Sequence, residues 1–288
     1  MSKDRIAKSC ICCGGKVLNK SPAILMPFVA KRVFDHEPVM VSPEWGMQDL
    51  QTGMAYSVCN TIQCNDCGVT FLDIRFSDSE MAALYANYRG EEYERLRIHY
   101  EPGYARRAAA YTGRFTYIDQ MDAFLRPLVP AAPAILDWGG DTGRNTPLLQ
   151  QASLVHVYDI SNVATVDGVS AVSMDIVKQT RYDLIVCNQV LEHVPYPFDF
   201  IAEMAAVMDD DTILCIGVPY ENLMRSQPAS REIYKQKHHW HEHINFFSAE
   251  SLQKMVMRAG LRPVEMILID AVQGDLKGCI AVLACRRA

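Results

Sequence analysis

The chain contains 288 residues, of which 49% are apolar and 22% are charged, and its net charge is −6. A chain of this size can bury one substantial core and a smaller second unit, while its acid excess argues against a nucleic-acid substrate, which needs a clustered basic surface. Residues 1–5 do not begin the apolar segment of a signal peptide, and no apolar run reaches the roughly 18 residues that span a bilayer, so we expect a cytoplasmic protein without a membrane span.

Four cysteines near the start of the chain form two Cys-x-x-Cys-Gly knuckles. The first knuckle supplies Cys10 and Cys13, and the second supplies Cys64 and Cys67. Four thiolates make a closed tetrahedral zinc site with no open position for chemistry, and a cytosolic compartment disfavours a disulfide. Residues 1–76 are therefore predicted to be a small β-rich module stapled by structural zinc. Reduced thiols or an iron centre are the alternatives.

Six further cysteines lie outside these four positions. Cys12 and Cys59 stand close enough in sequence to replace a zinc ligand, although the glycine after Cys13 favours that residue over Cys12. The other four occur within apolar strands and are predicted to be small buried core residues: Cys187, Cys215, Cys279 and Cys285.

Residues 77–130 are predicted to form a helical connector between two units. Ser77 and Glu80 have the spacing of a capping box that opens a helix, and Phe115 to Leu125 favours another helix. The connector is rich in tyrosine: Tyr85, Tyr88, Tyr93, Tyr100, Tyr104, Tyr111 and Tyr117. These side chains either pack between the two units or line a polar substrate cleft, since such clefts often form at domain interfaces.

Residues 134–143 are predicted to be a strand that ends in an acid and then breaks into a glycine-rich turn. The acid is Asp137, and the turn carries Gly139, Gly140, Asp141 and Gly143. The next residues, 144–149, are predicted to begin a helix. Such a strand–turn–helix unit brings backbone N–H groups and a helix N-terminus against a nucleotide-like ligand.

More strands follow at the spacing of βαβ units. The run 154–158 leads into Asp159, whose carboxylate is placed to accept hydrogen bonds from ribose hydroxyls. Asp175 is predicted to end a third strand, where it would meet an adenine amino group. The apolar run 182–188 is typical of a buried parallel strand. This alternation predicts an α/β fold over residues 131–288, a Rossmann-like parallel sheet with helices on both faces.

A histidine-rich segment follows the fifth strand, Thr212 to Val218. Residues 238–243 contain four histidines and one glutamate, and the ordinary pKa of histidine near 6.5 suits proton abstraction at neutral pH. His239 and His243 have the i, i+4 spacing of a metalloprotease helix, but the His-Glu-x-x-His order is absent. A metal site and a polar loop without chemistry remain the alternatives.

The loop before that segment, residues 222–237, carries four basic side chains: Arg225, Arg231, Lys235 and Lys237. They could clamp a diphosphate, because arginine forks match phosphate oxygens, or they could be solvated loop charges.

The strand-plus-glycine pattern, the acid after the second strand and the segment 188–194 together resemble the class I S-adenosylmethionine-dependent methyltransferases. The resemblance covers residues 131–288, and Asp141 stands where the family has a glycine. It implies a set of cofactor-binding residues: Asp137, Gly139, Gly140, Asp141, Gly143, Asp159, Ile160, Asp175 and Asn188. It also implies that Asn188 and His193 lie near the reactive methyl group.

Residues 240–248 sharpen the resemblance toward sugar C-methyltransferases, which act on nucleotide-linked keto-deoxysugars. Those enzymes carry an amino-terminal four-cysteine zinc module and a Tyr-His-Glu-His-x-x-Tyr-Phe-Ser segment after strand five. This chain matches the segment at His241, Glu242, His243, Phe247 and Ser248. The match implies that His243 is the general base and Glu242 its acidic helper, with His241 and His193 beside them. Trp240 replaces the family tyrosine, and with the last predicted strand close to Ala288 we expect a protein without the family's further carboxy-terminal domain.

The function expected from this resemblance is methyl transfer from S-adenosylmethionine to a sugar-type acceptor, either a nucleotide-linked sugar or a glycan precursor. An activated methyl donor leaves the protein to align the reactants and to remove one proton. Two alternatives stay open: a methyltransferase acting on a non-sugar small molecule, and a zinc-headed binding protein that does not catalyse a reaction.

Overall fold

The computed structural model describes residues 4–46, 51–106, 113–161, 163–273 and 276–288. Tyr111 of the connector lies outside these ranges. Within them, no helix combines the length and the apolar composition needed to cross a membrane.

Among the described residues, seven strands form a mostly parallel sheet. These strands are β6 (Ala134–Trp138), β7 (Leu154–Tyr158), β8 (Ser170–Ala171), β9 (Leu184–Asn188), β10 (Ile213–Pro219), β13 (Leu261–Gln273) and β14 (Leu276–Arg287). Their order is β13-β14-β10-β9-β6-β7-β8, and β6 to β10 run parallel while β13 and β14 are antiparallel. The α/β, Rossmann-like fold class predicted from the sequence is confirmed.

Alternate residues of the central strands enter two separate cores, one on each face of this sheet. In β6, Ile135 enters one core and Leu136 the other, as the two-residue repeat of a strand requires. Helix α4 (Ile118–Leu125) covers the first face. The second face is covered by α5 (Met174–Gln179), α6 (Pro197–Ala206) and α8 (Ala249–Arg258). The four cysteines of the strands are buried, as predicted.

A second, five-stranded sheet combines the amino-terminal region with the histidine-rich segment. Its strands are β1 (Leu18–Leu25), β4 (Val58–Cys64), β5 (Thr70–Leu72), β11 (His239–Trp240) and β12 (Asn245–Phe246). The strand order is β11-β1-β4-β5-β12, so the two strands that come last in the chain, β11 and β12, form the two edges. Residues 241–244 therefore run from one edge of the sheet to the other. The ranges predicted for the three units stay a prediction, and this sheet joins strands from the first range and the third.

Shorter elements complete the amino-terminal half. They are α1 (Pro27–Phe34), the hairpin of β2 (Val39–Val41) and β3 (Gly53–Ala55), α2 (Asp78–Tyr85) and α3 (Glu91–Tyr100). The capping box predicted for α2 is present, because the Ser77 hydroxyl accepts from the Glu80 N–H and the Glu80 carboxylate accepts from the Ser77 N–H. A short helix, α7 (Asn222–Ser226), follows β10.

The helix predicted to begin at residues 144–149 is absent from this described segment, which forms turns and then a 3₁₀ turn over Leu149–Gln151. Pro147 has no N–H to donate to a helical bond, and Leu148 adopts the left-handed conformation with φ 57°. The prediction was wrong: within the described residues no helix follows the glycine turn directly, and the N–H groups of Gly139, Asp141 and Gly143 donate to protein acceptors.

Candidate functional site

The strand order of the seven-stranded sheet reverses between β6 and β9. In open α/β sheets, ligands bind at such a switch point, in the crevice outside the carboxyl ends of the strands. Asp137 and Gly139 leave β6 at this point, Asn188 ends β9, and Glu221 follows β10. The fold thus brings three predicted cofactor residues, Asp137, Gly139 and Asn188, and the end of β10 to one crevice.

Glycine is required at Gly139 and Gly143 of the turn. Both have a positive φ, 81° and 74°, and an added Cβ would lie 2.6 Å from a methyl carbon of Val190 and 2.7 Å from one of Val169, respectively. Asp141 also adopts a positive φ, 51°, which aspartate tolerates better than most residues. The family glycine is thus replaced by a residue that can keep the turn.

Asp137 lies beneath the turn and is almost fully buried. Its carboxylate accepts a 2.5 Å hydrogen bond from the Thr146 hydroxyl, and an added Cβ at Gly140 would lie 2.5 Å from its Cγ. Burial raises the pKa of Asp137 to about 6, although the Thr146 bond opposes the shift. The structure therefore places Asp137 as a support of the glycine turn.

Asp159 joins the turn to a cavity of about 280 Å³. Its two oxygens accept from the backbone N–H groups of Asp141, at 2.9 Å, and Ser161, at 2.7 Å. The cavity is lined by Asp141, Val157, Asp159, Val163, Ala171, Val172 and Ser173. Ile160 stands beside it with 78% of its surface exposed.

Asp175 does not end a strand. It lies exposed in the first turn of α5, and Ser173, two residues earlier, lines the cavity in its place. The expected third strand is only Ser170–Ala171, so the chain turns into the helix before it reaches Asp175.

The end of β9 carries two polar side chains with buried atoms. Asn188 donates from its amide to the Tyr117 hydroxyl at 2.9 Å, while its amide oxygen is buried without a hydrogen-bond partner among the described residues. The Gln189 amide nitrogen is in the same state, and Gln189 has a φ of 59°. Sequence reasoning gave Gln189 no role, although its place directly after a buried strand was a signal.

A larger cavity, about 750 Å³, adjoins this end of the sheet and contains the predicted catalytic residues. His193, His241, Glu242 and His243 all line it. The connector supplies much of the opposite wall, with Tyr88, Arg89, Tyr93, Arg97, Tyr104 and Tyr117. Arg89 reaches out of this cavity to within 3.5 Å of the Asp141 carboxylate in the smaller one. The connector thus contributes to both cavities, and four of its tyrosines line a cleft.

His243 is bonded to an acid that the sequence did not assign. Its Nδ1 lies 3.2 Å from Oε1 of Glu221, which is two residues after the end of β10. Burial works against a charged ring, but the carboxylates of Glu221, Glu192 and Glu242 raise the pKa of His243 above its ordinary value. The pair has the arrangement of an imidazole base oriented by a carboxylate.

The expected pairing of Glu242 with His243 is absent from this described segment. Both oxygens of Glu242 are bonded to the guanidinium of Arg97 in α3, one of them at 3.0 Å. Arg97 is itself 4% exposed and also donates to Glu101 at 2.9 Å. A buried guanidinium needs such partners, so Glu242 holds the connector to the histidine segment while Glu221 takes the place beside His243.

His193 and Glu192 approach His243 from the end of β9. The His193 Nδ1 lies 2.8 Å from the Tyr85 hydroxyl and 3.1 Å from the Glu242 carbonyl, and its ring centroid is 4.7 Å from that of His243. Burial, together with the charge of His243, lowers the pKa of His193 well below its ordinary value. The same two causes lower the pKa of His241, whose Nδ1 accepts from the His243 N–H at 3.2 Å.

Trp240 does not line the larger cavity. It is fully buried, and its indole N–H donates to the Thr61 hydroxyl at 2.8 Å. Lys237, 6% exposed, lies over its ring at 4.8 Å. The replacement of the family tyrosine therefore changes the core of the five-stranded sheet and leaves the cavity wall unchanged.

The basic loop 222–237 turns its charges toward protein partners. Arg231 binds Glu250 and the Asn65 carbonyl, Lys235 binds Glu232, and Arg225 lies 3.7 Å from Asp270. None of the four predicted side chains lines either of the two cavities. The structure does not assemble them into a diphosphate clamp.

The four predicted zinc ligands form one cluster, in which the sulfurs of Cys10, Cys13, Cys64 and Cys67 all lie within 4.8 Å of one another. Cys10 and Cys67 are 3.5 Å apart, and Cys13 and Cys64 are 3.7 Å apart. Backbone N–H groups of Cys12 and Gly15 approach two of the sulfurs at 3.4 Å. Cys12 and Cys59 are buried but are outside this group of four.

Comparison with known proteins gives a family and a set of similar folds. A family model described as a methyltransferase domain matches residues 113–266, more than half of the chain. The Burkholderia thailandensis 1,6-didemethyltoxoflavin-N1-methyltransferase, solved with S-adenosylhomocysteine, is 17% identical, with a TM-score of 0.47 over 68% of this chain and 89% of that one. Magnesium protoporphyrin IX methyltransferase from Synechocystis PCC 6803 is 16% identical, with a TM-score of 0.44 over 69% and 100%. The comparison with curated proteins found no match.

Proposed function

This chain belongs to the methyltransferase-domain family and is an S-adenosylmethionine-dependent methyltransferase, and on that premise we propose that it methylates a sugar-type acceptor bound in the 750 Å³ cavity. The acceptor is a nucleotide-linked sugar or a glycan precursor. His243 removes the acceptor proton, and the methyl group passes directly to the acceptor.

The observation that carries this proposal is the His243–Glu221 pair on the wall of that cavity. If Nδ1 donates to the Glu221 carboxylate, the other ring nitrogen keeps its lone pair. A base must lie within hydrogen-bond reach of the proton it removes, and the cavity allows an acceptor to approach His243. Glu221 fixes the tautomer and the orientation of the ring.

S-adenosylmethionine supplies a methyl group that is already activated as part of a sulfonium. The 280 Å³ cavity and the glycine turn suit its adenosine and amino-acid parts, with Asp159 available to the ribose hydroxyls through its remaining lone pairs. Asn188 and Gln189, at the end of β9, each keep one buried polar atom that has no hydrogen-bond partner among the described residues. These residues bind and align the reactants, which accounts for much of the rate gain in such a transfer.

A structural zinc ion in the cysteine cluster is part of the same proposal. Tetrahedral ligation with Zn–S bonds of about 2.3 Å places sulfurs about 3.8 Å apart, and the separations of 3.5 and 3.7 Å fit that value. Cys10, Cys13, Cys64 and Cys67 would hold the ion, which would supply no catalytic chemistry because all four positions are filled.

Support for a sugar comes from two sources. The matched residues 241–243 resemble those of sugar methyltransferases, and the cavity wall mixes tyrosine hydroxyls with charged groups that can bind several hydroxyls at once. The same tyrosine rings also favour a second candidate, a planar aromatic acceptor, which would stack on them.

The test is methyl transfer from labelled S-adenosylmethionine to a panel of nucleotide sugars in hydroxy and 4-keto forms, with phenolic acids as the comparison set. Mass spectrometry then locates the new methyl group on oxygen or carbon. Methylation of a nucleotide sugar that is lost in His243→Ala supports the proposal. Methylation of the phenolic acids alone replaces the sugar by the aromatic acceptor.

A further inference from the structure

We propose that Glu192, His193 and His243 form a binding site for one divalent transition-metal ion, and that this ion blocks the base assigned to His243. One potential ligand atom of each residue lies within 4.8 Å of the other two. The site is separate from the cysteine cluster, and only its effect on turnover rests on the proposed function.

Glu192 is the group that points to a ligand. Its side chain is 2% exposed, and neither carboxylate oxygen has a hydrogen-bond partner within the described part of the chain. A buried carboxylate without partners is costly. His193 Nε2 is its neighbour, at 3.7 Å from Oε1, beyond hydrogen-bond distance. A cation placed between these atoms would satisfy both.

The protonation of His193 is set by the groups on its other nitrogen. Nδ1 lies 2.8 Å from the Tyr85 hydroxyl and 3.1 Å from the Glu242 carbonyl, and both oxygens can accept, so we place the proton on Nδ1. Nε2 therefore keeps a lone pair on the side of Glu192. A metal-binding histidine commonly donates its second nitrogen to a carbonyl or carboxylate in this way.

His243 repeats that arrangement with a carboxylate in place of the carbonyl. Its Nδ1 lies 3.2 Å from Glu221, which leaves Nε2 as the donor atom. The two rings meet at 4.7 Å in an edge-to-face orientation. Both histidines thus have an outer partner that fixes the ring before a metal binds.

The backbone holds the three ligands in register. The Glu192 carbonyl accepts from the N–H groups of Ile244 at 2.8 Å and Asn245 at 3.1 Å, which ties the end of β9 to the histidine segment. Two imidazoles and one carboxylate with open positions favour manganese, iron, cobalt or zinc over magnesium and calcium, which prefer oxygen ligands.

Metal binding and proton removal use the same atom. The lone pair of His243 Nε2 can be donated to a metal ion or to the proton of the acceptor, but not to both. An ion in this site therefore competes with catalysis, and removal of the ion restores the base.

The binding test uses the zinc-loaded protein with S-adenosylhomocysteine and without an acceptor. Mn²⁺ is titrated and followed by electron paramagnetic resonance, because bound Mn²⁺ loses its sharp free-ion signal. The soft thiolates of the cysteine cluster bind the hard Mn²⁺ ion poorly. We expect one bound Mn²⁺ per chain, and at least about tenfold weaker binding in Glu192→Gln. Glu101→Gln, which changes another carboxylate of the same cavity, should bind Mn²⁺ as the unchanged protein does.

Absence of Mn²⁺ binding, or equal binding by Glu192→Gln, overturns the site. Retained affinity for S-adenosylhomocysteine shows that Glu192→Gln is folded. This result does not depend on turnover, so failure of the acceptor panel leaves it intact. With an active acceptor, turnover should fall in proportion to bound Mn²⁺ and return on chelation. Unchanged or increased turnover at saturating Mn²⁺ overturns the blocking role.

Discussion

The two ends of the β1–β4 ladder each carry a cluster of potential metal ligands, and the two clusters are built differently. Cys64 pairs with Leu18 at one end, next to the cysteine cluster, while Ile24 pairs with both Val58 and His239 at the other. The cysteine sulfurs take N–H groups from their own knuckle. The histidine segment instead takes partners from four distant positions: Arg97, Glu192, His193 and Glu221.

This difference separates stability from chemistry. The cysteine cluster is compact, and its four sulfurs lie in two close pairs. This arrangement suits an ion that stabilises the structure. The histidine cluster lines a 750 Å³ cavity that an acceptor can enter, which suits a reaction. The five-stranded sheet thus connects the cysteine cluster, which is closed, to the histidine cluster, which is open to the cavity.

The largest expected effect comes from removing the closed cluster. The double change Cys10→Ser with Cys67→Ser should leave the chain without zinc and unfold the amino-terminal module, because structural zinc contributes about 10 kcal/mol or more in small modules. Turnover should be lost as well, since β11 pairs with β1. Zinc content by mass spectrometry and thermal unfolding measure the two effects.

Cys59→Ala is the matched control, because this buried cysteine lies outside the cluster. It should keep one zinc per chain. A Cys10→Ser, Cys67→Ser double variant that folds and turns over normally would contradict the stabilising role of the cysteine cluster.

The next effect is confined to chemistry. His243→Ala should lower turnover by about 10²-fold or more, the usual contribution of a general base, while affinity for S-adenosylhomocysteine measured by calorimetry stays unchanged. His238→Ala, an exposed neighbour in the same segment that lines neither cavity, is the control. Turnover at the level of the unchanged protein would remove His243 from the base role.

Substitutions of the two acids near the histidine cluster, Glu221 and Glu242, should have different kinds of effect. Glu221→Gln should lower kcat by roughly tenfold, because the amide orients His243 less strongly than a carboxylate does. Glu242→Gln should mainly lower the free energy of unfolding, by about 2 kcal/mol, because it weakens the partner of the buried Arg97. Kinetics and denaturant unfolding of both variants test this. The reverse pattern would restore the pairing implied by the family resemblance.

The smallest effect lies in the cofactor cavity. Asp159→Ala should weaken S-adenosylhomocysteine binding by roughly tenfold, in line with the loss of charged hydrogen bonds worth about 1.5 kcal/mol or more. Asp175→Ala should change it less than Asp159→Ala does, because Asp175 is exposed and does not line the cavity. Calorimetry ranks the two, and a larger loss in Asp175→Ala would return the adenine contact to that residue.

Features that depend on short-range patterns were predictable from the sequence. The cysteine quartet, the α2 capping box and the buried strand β9 each follow from local spacing and residue type. The helix expected after residue 143 failed for a reason that is also local, the proline at 147 with a left-handed residue beside it. The prediction gave more weight to the glycine-turn pattern than to Pro147, which disfavours a helix.

Features that depend on distant pairing were not predictable. Nothing periodic in His239–Trp240 or Asn245–Phe246 indicates that these two-residue strands join β1 and β5. Glu221 lies just after β10, and its bond to His243 crosses 22 positions of the chain. The Arg97–Glu242 pair crosses 145. Such partners are set by how the two sheets pack, which a single sequence does not display.

The placement of β11 and β12 at the two edges of the amino-terminal sheet also limits how this protein can be recombined. A chimera that fused residues 77–288 to another protein's leading module would leave both short strands without backbone partners and the loop 241–244 without a frame. The exchangeable unit is therefore discontinuous: residues 4–76 have to travel together with residues 237–248, grafted as one piece onto a foreign parallel sheet.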